Sequence, residues 1–202
     1  MRTQILKPLL TLFIVSTFFY SHAQEQGTKE LTLGYGVAST NAIVDVLSND
    51  FILPAFTGGL HETKNQTYSG ASYINFSYAI KNDFLIGAEV VYERISKDIY
   101  SGNTNEGRQI DNSFTIGANA KYSYISNPKF RMYSGLAGVY NTIQANFDPE
   151  KGSTSKATKG NKGAFGYHLT AFGFRYGKKA AVLAELGFGY KGIINIGFNY
   201  KF

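Results

Sequence analysis

Residues 194–202, Ile-Asn-Ile-Gly-Phe-Asn-Tyr-Lys-Phe, decide the fold of this chain. The even positions carry large apolar or aromatic side chains, namely Ile194, Ile196, Phe198, Tyr200 and Phe202. The odd positions carry small or polar ones, namely Asn195, Gly197, Asn199 and Lys201. Because successive side chains of a β-strand point to opposite faces, this alternation predicts a strand with one apolar and one polar face.

The same alternation recurs in further segments upstream. They lie at residues 30–37, 74–80, 84–93, 114–124, 130–142, 172–176 and 182–190. A tilted strand of about 9–11 residues crosses a bilayer, and an open sheet edge in hydrocarbon would leave amides unpaired. We therefore predict an all-β fold, an eight-stranded antiparallel up-and-down transmembrane β-barrel. The last residue of the apolar row in the segment 182–190 is Tyr190, which we assign to the outward face.

The N-terminal residues have the layout of a secretory signal. Two basic residues precede an apolar run at 9–20, and Ser-His-Ala at 21–23 places small side chains at a cleavage site. The run has about a dozen residues, whereas a membrane-spanning helix needs roughly 20, so a membrane anchor is the weaker interpretation. We predict a signal peptide at 1–23, export of the chain, and one barrel domain at 24–202.

The composition excludes several classes of protein. Aromatic residues make up 15% of the chain, and Cys is absent, so an exported form has no disulfide framework. The mean hydropathy of −0.16 excludes a bundle of membrane-spanning helices. It suits a barrel, whose strands turn only every second residue to lipid. The net charge of +6 suits anionic lipid and does not by itself indicate a nucleic-acid partner, so none is predicted.

The alternation does not reveal which face meets lipid. A soluble lipocalin-like barrel would place the apolar row inward around a ligand, and this remains an alternative. The connections favour the membrane version, because short turns and long loops alternate as they do in outer-membrane barrels. The short turns are predicted near 81–83, 126–129 and 177–179, and the long outer loops at 39–66, 98–112 and 144–164. A short outer turn at Lys191-Gly192 is the exception.

Residues 41–51 interrupt the strand pattern. Ile43 and Leu47 follow helical spacing, and Thr40 or Asn41 is a candidate N-cap. We predict a short amphipathic helix in the first outer loop. It either rests on the barrel rim or serves as a plug or as a docking element for a partner.

The polar row carries charged side chains that would face the barrel axis. They are Glu30, Glu89, Glu93, Lys121, Arg175, Glu185 and Lys201. The interior of an eight-stranded barrel is just wide enough for side chains to fill it, and charges confined there must pair or be hydrated. We predict a polar network that closes the pore, with ion pairs between Glu30 and Lys201 and between Arg175 and Glu185. A narrow channel, or another lipid or small-solute pathway, is the alternative.

The last six residues resemble the terminal assembly signal of outer-membrane barrels, which has alternating aromatics and a terminal Phe; here these are Phe198, Tyr200 and Phe202. Together with the predicted signal peptide, the chain resembles the small eight-stranded outer-membrane β-barrels related to the OmpA transmembrane domain. The resemblance implies the cell outer membrane, contact with lipopolysaccharide, and insertion by the barrel-assembly machinery. It is weak for activity, so we predict a structural or surface-interaction role in which outer loops meet an extracellular ligand.

No active site emerges from the sequence. Residues 24–202 contain two histidines, His61 and His168. His168 and Thr170 fall on the row assigned to the outside and are faintly similar to the His-x-Ser pair of barrel lipid A deacylases. A nucleophile needs a base that a third group holds, and Glu185 is assigned inward. We predict no catalytic residue, no cofactor and no metal site, and a lipid A-modifying enzyme is the least favoured alternative.

The third long loop is rich in small residues and lysines, and the lysines are Lys151, Lys156, Lys159 and Lys162. One interpretation is a mobile, solvated loop. The other is electrostatic contact with lipopolysaccharide phosphates or an anionic partner.

Overall fold

The computed structural model describes residues 25–52, 61–153 and 155–202. The predicted signal peptide at 1–23 lies outside these residues. Within the described ranges, no helix is both long enough and apolar enough to cross a membrane.

Strands make up most of the described chain. They are β1 (Lys29–Val37), β2 (His61–Tyr68), β3 (Ala71–Lys81), β4 (Phe84–Ser101), β5 (Thr104–Ser126), β6 (Phe130–Pro149), β7 (Thr158–Gly177), β8 (Ala180–Gly189) and β9 (Ile194–Lys201). Helix α1 (Thr40–Val46) follows β1 and continues into a π-helical segment, Leu47–Ile52.

Antiparallel pairing closes the sheet into a ring. Each strand from β3 to β9 pairs with the next, and β1 pairs with both β3 and β9. Leu33, for example, lies opposite Ile74 on one side and Phe198 on the other. β2 and β3 pair with successive parts of β4, so together they count as one of the eight strands in the ring. The closed ring leaves no strand edge unpaired where all eight strands are present.

The apolar row faces outward around this ring. On β9 the five large apolar side chains are between 43% and 60% exposed, whereas Asn195 and Asn199 are at most 2% exposed. On β1, Leu31 and Leu33 are exposed while Glu30 is buried. We call the resulting belt of outward apolar side chains the membrane band. The predicted barrel, with its apolar face outward, is therefore confirmed.

Strands β4 to β7 continue beyond the membrane band. On β4 the band ends at Tyr92, and the pairing with β5 continues to Ser101 opposite Thr104. The pairing of β6 with β7 likewise continues to Phe147 opposite Thr158. We call these upper parts of β4–β7, together with β2, the outer extension. The prediction of loops at 98–112 and 144–164 is thus wrong over most of these two ranges, because strands continue through them. Both faces of β7 are exposed at residues 158–165, so alternation is no longer required there although backbone pairing continues.

The predicted helix is present in the first outer loop, but its N-cap was assigned to the wrong residue. The Oγ of Ser39 accepts a hydrogen bond from the backbone N of Ala42 at 3.0 Å, so Ser39, and neither Thr40 nor Asn41, is the cap. All three are favourable cap residues. Ser39 is selected because its Oγ also donates to buried Glu93 at 2.6 Å.

A β-bulge divides β7 into two halves, and the set of residues that faces outward, odd-numbered or even-numbered, changes between them. The pairing with β8 shifts by one residue between Thr170 and Phe172, and Ala171 and Phe172 are both exposed. Below the bulge the even-numbered residues face outward, and above it the odd-numbered ones such as Leu169 do. An extra residue in a strand changes the facing of every residue beyond it.

Candidate functional site

The middle of the barrel interior contains a cluster of charges that spans the ring. The Nζ of Lys191, in the turn between β8 and β9, lies 3.2 Å from an oxygen of Glu89 on β4 and 3.7 Å from one of Glu185 on β8. The Nζ of Lys121 is 3.6 Å from the other oxygen of Glu185. The hydroxyl of Tyr133 donates to that same oxygen at 2.7 Å. These four charged side chains are all buried.

A second cluster lies toward the short turns. Arg131 on β6 donates to both oxygens of Glu30 on β1, at 2.6 and 2.7 Å. Asn199 on β9 donates to Glu30 at 3.3 Å and accepts from the Nε of Arg175 at 2.5 Å. Arg175 also donates to the backbone oxygens of Gly177 and Lys178, both at 2.8 Å. Such two-pronged pairs of guanidinium and carboxylate are the strongest class of charged hydrogen bond.

A third cluster joins helix α1 to the upper interior. Asn41 donates to Glu93 at 3.0 Å, and Asn141 on β6 donates back to Asn41 at 3.3 Å. Asp45 of α1 forms an ion pair with Lys97 on β4. Because these partners lie on inward-facing positions of β4 and β6, α1 covers the outer mouth of the barrel.

One of these contacts crosses the full width of the ring. β1 and β6 are four strands apart in a ring of eight, so the Glu30–Arg131 pair lies along a diameter. The buried charged side chains of the three clusters are Glu30, Glu89, Glu93, Glu185, Lys97, Lys121, Arg131, Arg175 and Lys191. Removing one partner of a buried ion pair is strongly unfavourable.

The structure places the seven interior residues expected from the sequence on the axial side of the sheet. Six of them are buried, and Lys201 at the end of β9 is partly exposed. Glu30 and Lys201 face each other in the β1–β9 register, as expected for strands that meet at the seam. The pairing of Arg175 with Glu185 is wrong. Arg175 lies opposite Leu183, and its hydrogen bonds go to Asn199 and to backbone oxygens of the following turn.

Sequence reasoning missed several interior residues, among them Arg131, Tyr133 and Lys191. Arg131 and Tyr133 lie in the segment 130–142, where large side chains occur at both odd and even positions. Lys191 was assigned to an outer turn, where a lysine is normally solvated. Nothing in its neighbourhood in the sequence indicates burial, because that burial depends on where the turn folds.

The turn between β8 and β9 folds into the barrel. Tyr190 is buried, and its hydroxyl donates to Glu89, so its expected place on the outward face is wrong. A Cβ added to Gly36 on β1 would collide with the carbonyl oxygen of Lys191. The glycine therefore allows this turn to approach β1 closely enough for Lys191 to enter the interior.

His168 and Thr170 are also on the opposite face from the one expected. Both are buried inside the barrel, because the bulge at Ala171 reverses the facing of the upper half of β7. The ring of His168 packs edge-on against Tyr190, with centroids 5.5 Å apart, and neither ring nitrogen has a hydrogen-bond partner in the described structure. No base held by a third group accompanies Thr170. The described residues also contain no cluster of three or more His, Cys, Asp or Glu side chains that could bind a metal ion.

The four lysines expected in one loop are divided between a loop and a strand. Lys151 and Lys156 lie between β6 and β7, whereas Lys159 and Lys162 belong to β7 itself. All four are exposed. The rigid strand holds Lys162 at a fixed position on the outer extension.

An ion pair joins neighbouring strands above the membrane band. The Nε of Arg108 donates to Asp98 at 2.7 Å, and Asn65 of β2 donates to the other carboxylate oxygen at 2.8 Å. The hydrogen bond from Arg108, followed by the one from Asn65, holds the pKa of Asp98 below its usual value against the opposing effect of desolvation.

Comparison with known proteins gives a match in structure but not in sequence. No family model and no curated protein matches the chain. The chain is similar to the N-terminal β-barrel domain of OprF from Pseudomonas aeruginosa, with 11% identity, a TM-score of 0.51, and coverage of 89% of this chain and 100% of that one. It also matches Ail, the attachment invasion locus protein of Yersinia pestis, at 10% identity.

Two structures of Ail match, with TM-scores of 0.45 and 0.46, and both cover 88% of this chain and 99% of Ail. The second is a complex of Ail with the heparin analogue sucrose octasulfate. At such low identity the match to OprF concerns the fold alone, and it agrees with the closed ring and the outward apolar belt described above. The chain therefore has the fold of the small eight-stranded outer-membrane β-barrels.

Proposed function

We propose that this chain is an outer-membrane barrel, exported by a signal peptide, that is closed to solutes and serves as a structural and surface-interaction protein. The membrane band supports the location. Large apolar side chains surround the ring, and a contiguous belt of this kind is unfavourable in water and favourable in hydrocarbon.

The observation that carries the closed interior is the set of ionic contacts that cross the barrel interior. Arg131 meets Glu30 from the opposite side of the ring, and Lys191 of the inward-folded turn meets Glu89. Tyr133 and Tyr190 add ring volume beside these charges, and both are buried. Side chains joined across the axis in this way occupy the path that a solute would need.

Two measurements test this proposal. Cell fractionation should recover the protein in the outer membrane, with extraction only by detergent. Recovery in the soluble periplasm would instead support the lipocalin-like alternative. The purified barrel, reconstituted in planar bilayers beside a general porin as the positive control, should show no steady single-channel steps. Regular steps would overturn the closed interior and support the narrow channel.

The terminal aromatics provide the contact with the barrel-assembly machinery in this proposal. Phe198, Tyr200 and Phe202 lie on the exposed face of the last strand. Replacing Phe202 with Ser should lower the amount of protein inserted in the outer membrane. The matched change Leu186→Ser, on the same face of the neighbouring strand but away from the terminus, should lower it less. Equal losses would show that only lipid-facing apolarity matters.

The outer extension supplies the surface for an extracellular ligand and for lipopolysaccharide. Its lysines at 151, 156, 159 and 162 are exposed and carry positive charge beyond the membrane band. Anionic lipid phosphates are attracted by such a patch, and added salt screens the attraction. Binding of lipopolysaccharide micelles should therefore weaken with salt, and with replacement of these four lysines by glutamine.

A further inference from the structure

A cavity of about 470 Å³ lies in the outer extension, between the helical segment after β1 and the concave face of β4–β7. Its volume is in the range of small-molecule sites, about 300–1,000 Å³. One wall consists of α1 and the π-helical segment, and the opposite wall consists of β7 residues 160–162. The cavity lies above the central ion network.

The charges that line this cavity cancel. Lys97 lies between two carboxylates: it forms an ion pair with Asp45, and its Nζ is 3.8 Å from Asp111. Lys162 adds the second positive charge on the far wall. Two ammonium groups and two carboxylates give no net attraction for an ion of either sign. The cavity therefore favours a neutral ligand over a phosphate, a sulfate or a metal cation.

Several polar groups in the walls are available to a ligand. The side chains of Thr40 and Ser48 on the helical wall, and of Lys162 on the β7 wall, have no hydrogen-bond partner among the described residues. Two hydroxyls and an ammonium thus line the cavity. A ligand with hydroxyl groups around its edge would satisfy both walls at once.

Aliphatic side chains lie between these polar groups. Val44 of α1, Ile95 of β4 and Ile143 of β6 line the cavity with the polar residues. A pyranose ring has the matching chemistry, since hydroxyls surround its edge and C–H groups cover its faces. We propose that this cavity binds a neutral sugar, either free or as the terminal unit of a glycan. This proposal deepens the surface-interaction role and rests on the outer extension facing the exterior.

Titration calorimetry of the full barrel tests the inference. The protein is held in a zwitterionic detergent, because the headgroup of an alkyl glycoside would itself compete. The ligands are glucose, galactose, mannose, N-acetylglucosamine, lactose and maltose, with glucuronic acid and glucose 6-phosphate as charged counterparts. At least one neutral sugar should bind, and it should bind more tightly than glucuronic acid and glucose 6-phosphate. A glycan array read with the same protein separates terminal units from free sugars.

Variants locate the site. Ala145 lines the cavity, and Ala145→Phe should abolish binding by filling it. Asn146→Phe, the next residue on the opposite face of β6, should leave binding unchanged. Lys162→Met should weaken binding about tenfold, equivalent to about 1.4 kcal/mol. The inference is overturned if no neutral sugar binds, if charged sugars bind better, or if Ala145→Phe has no effect. The proposed barrel function is judged separately, by fractionation and conductance.

Discussion

Within the membrane band the polar side chains find their partners inside the barrel, whereas the β7 part of the outer extension is exposed on both faces. Glu30 is held by Arg131 and Glu89 by Lys191 across the interior. The side chain of Lys162, farther up the same sheet, has no hydrogen-bond partner among the described residues. Strands β4 to β7 run through both regions, so the difference lies in the surroundings of the strands.

We therefore expect side chains of the membrane band to contribute mainly to stability, and exposed side chains of the outer extension to contribute mainly to recognition. In the band a lost partner leaves a charge buried in a medium of low polarity, and the cost falls on the whole barrel. In the outer extension a lost side chain is replaced by water, and the cost stays local. The following experiments test that contrast, in order of decreasing expected effect.

Arg131→Met should lower the free energy of unfolding most, by about 3–5 kcal/mol, because the two-pronged partner of buried Glu30 is removed. Urea unfolding followed by circular dichroism measures this. Lys162→Met in the outer extension is the control and should change the value by less than about 0.5 kcal/mol. The double variant Glu30→Gln with Arg131→Met should regain part of the loss. Equal effects of Arg131→Met and Lys162→Met would refute the contrast.

Gly36→Val should destabilise the barrel by about 1–3 kcal/mol, because the new side chain collides with the backbone of the inward-folded turn at Lys191. Gly138→Val is the matched control on the outward face of β6, where an added Cβ meets no atom within 4 Å. The same urea titration compares them. If both glycines tolerate valine equally, Gly36 is not needed for the approach of the turn.

Ser39→Ala should loosen helix α1 by about 0.5–2 kcal/mol, because both the N-cap bond to Ala42 and the bond to Glu93 are lost. Amide hydrogen exchange at Ile43 reports this local change. Thr40→Ala, which alters the neighbouring residue but leaves the cap intact, should have a smaller effect. The reverse order would show that Thr40 is the cap after all.

The smallest effect is expected from acidification of the outer extension. Hydrogen bonds from Arg108 and Asn65 lower the pKa of Asp98 in the folded protein, so its ionised form stabilises the fold. This contribution is complete above the unfolded pKa of about 4 and is lost as the pH falls through the lower folded value. Because intrinsic amide exchange itself changes with pH, the measured quantity is the protection factor of residues 95–101, which should fall on acidification. Asp98→Asn should remove that dependence, and an unchanged pH profile in this variant would contradict the assignment.

The alternation predicted the ring because hydrocarbon and a crowded axis impose opposite demands on neighbouring residues. It placed Glu30 and Glu185 inward and the aromatics of β9 outward. The prediction from alternation failed where a bulge shifted the strand or where the strand extended above the membrane band. The bulge at Ala171 reversed His168 and Thr170, and the loss of alternation hid the continuation of β4 beyond Tyr92 and of β6 beyond Thr142.

The partners of the interior charges are the part that local pattern does not contain. The odd or even position of a residue along its strand indicates whether it faces the axis. The register and stagger of the whole ring decide which residue faces it from the other side. Arg175 was accordingly paired with the wrong group, and Arg131 was missed as the partner of Glu30. The outer cavity was equally invisible, since its walls come from segments more than a hundred residues apart, as Ser48 and Asn161 illustrate.

The sequence alone determined that this chain closes into eight two-faced strands, because a period of two is a local property of each strand. Tertiary structure decided everything that depends on distance across the ring: the ion pairs across the interior, the burial of Lys191 and Tyr190, and the meeting of α1 with β4 to β7. The reason is physical. Facing is set by neighbours along the chain, whereas contact through the interior is set by the register and closure of the whole sheet.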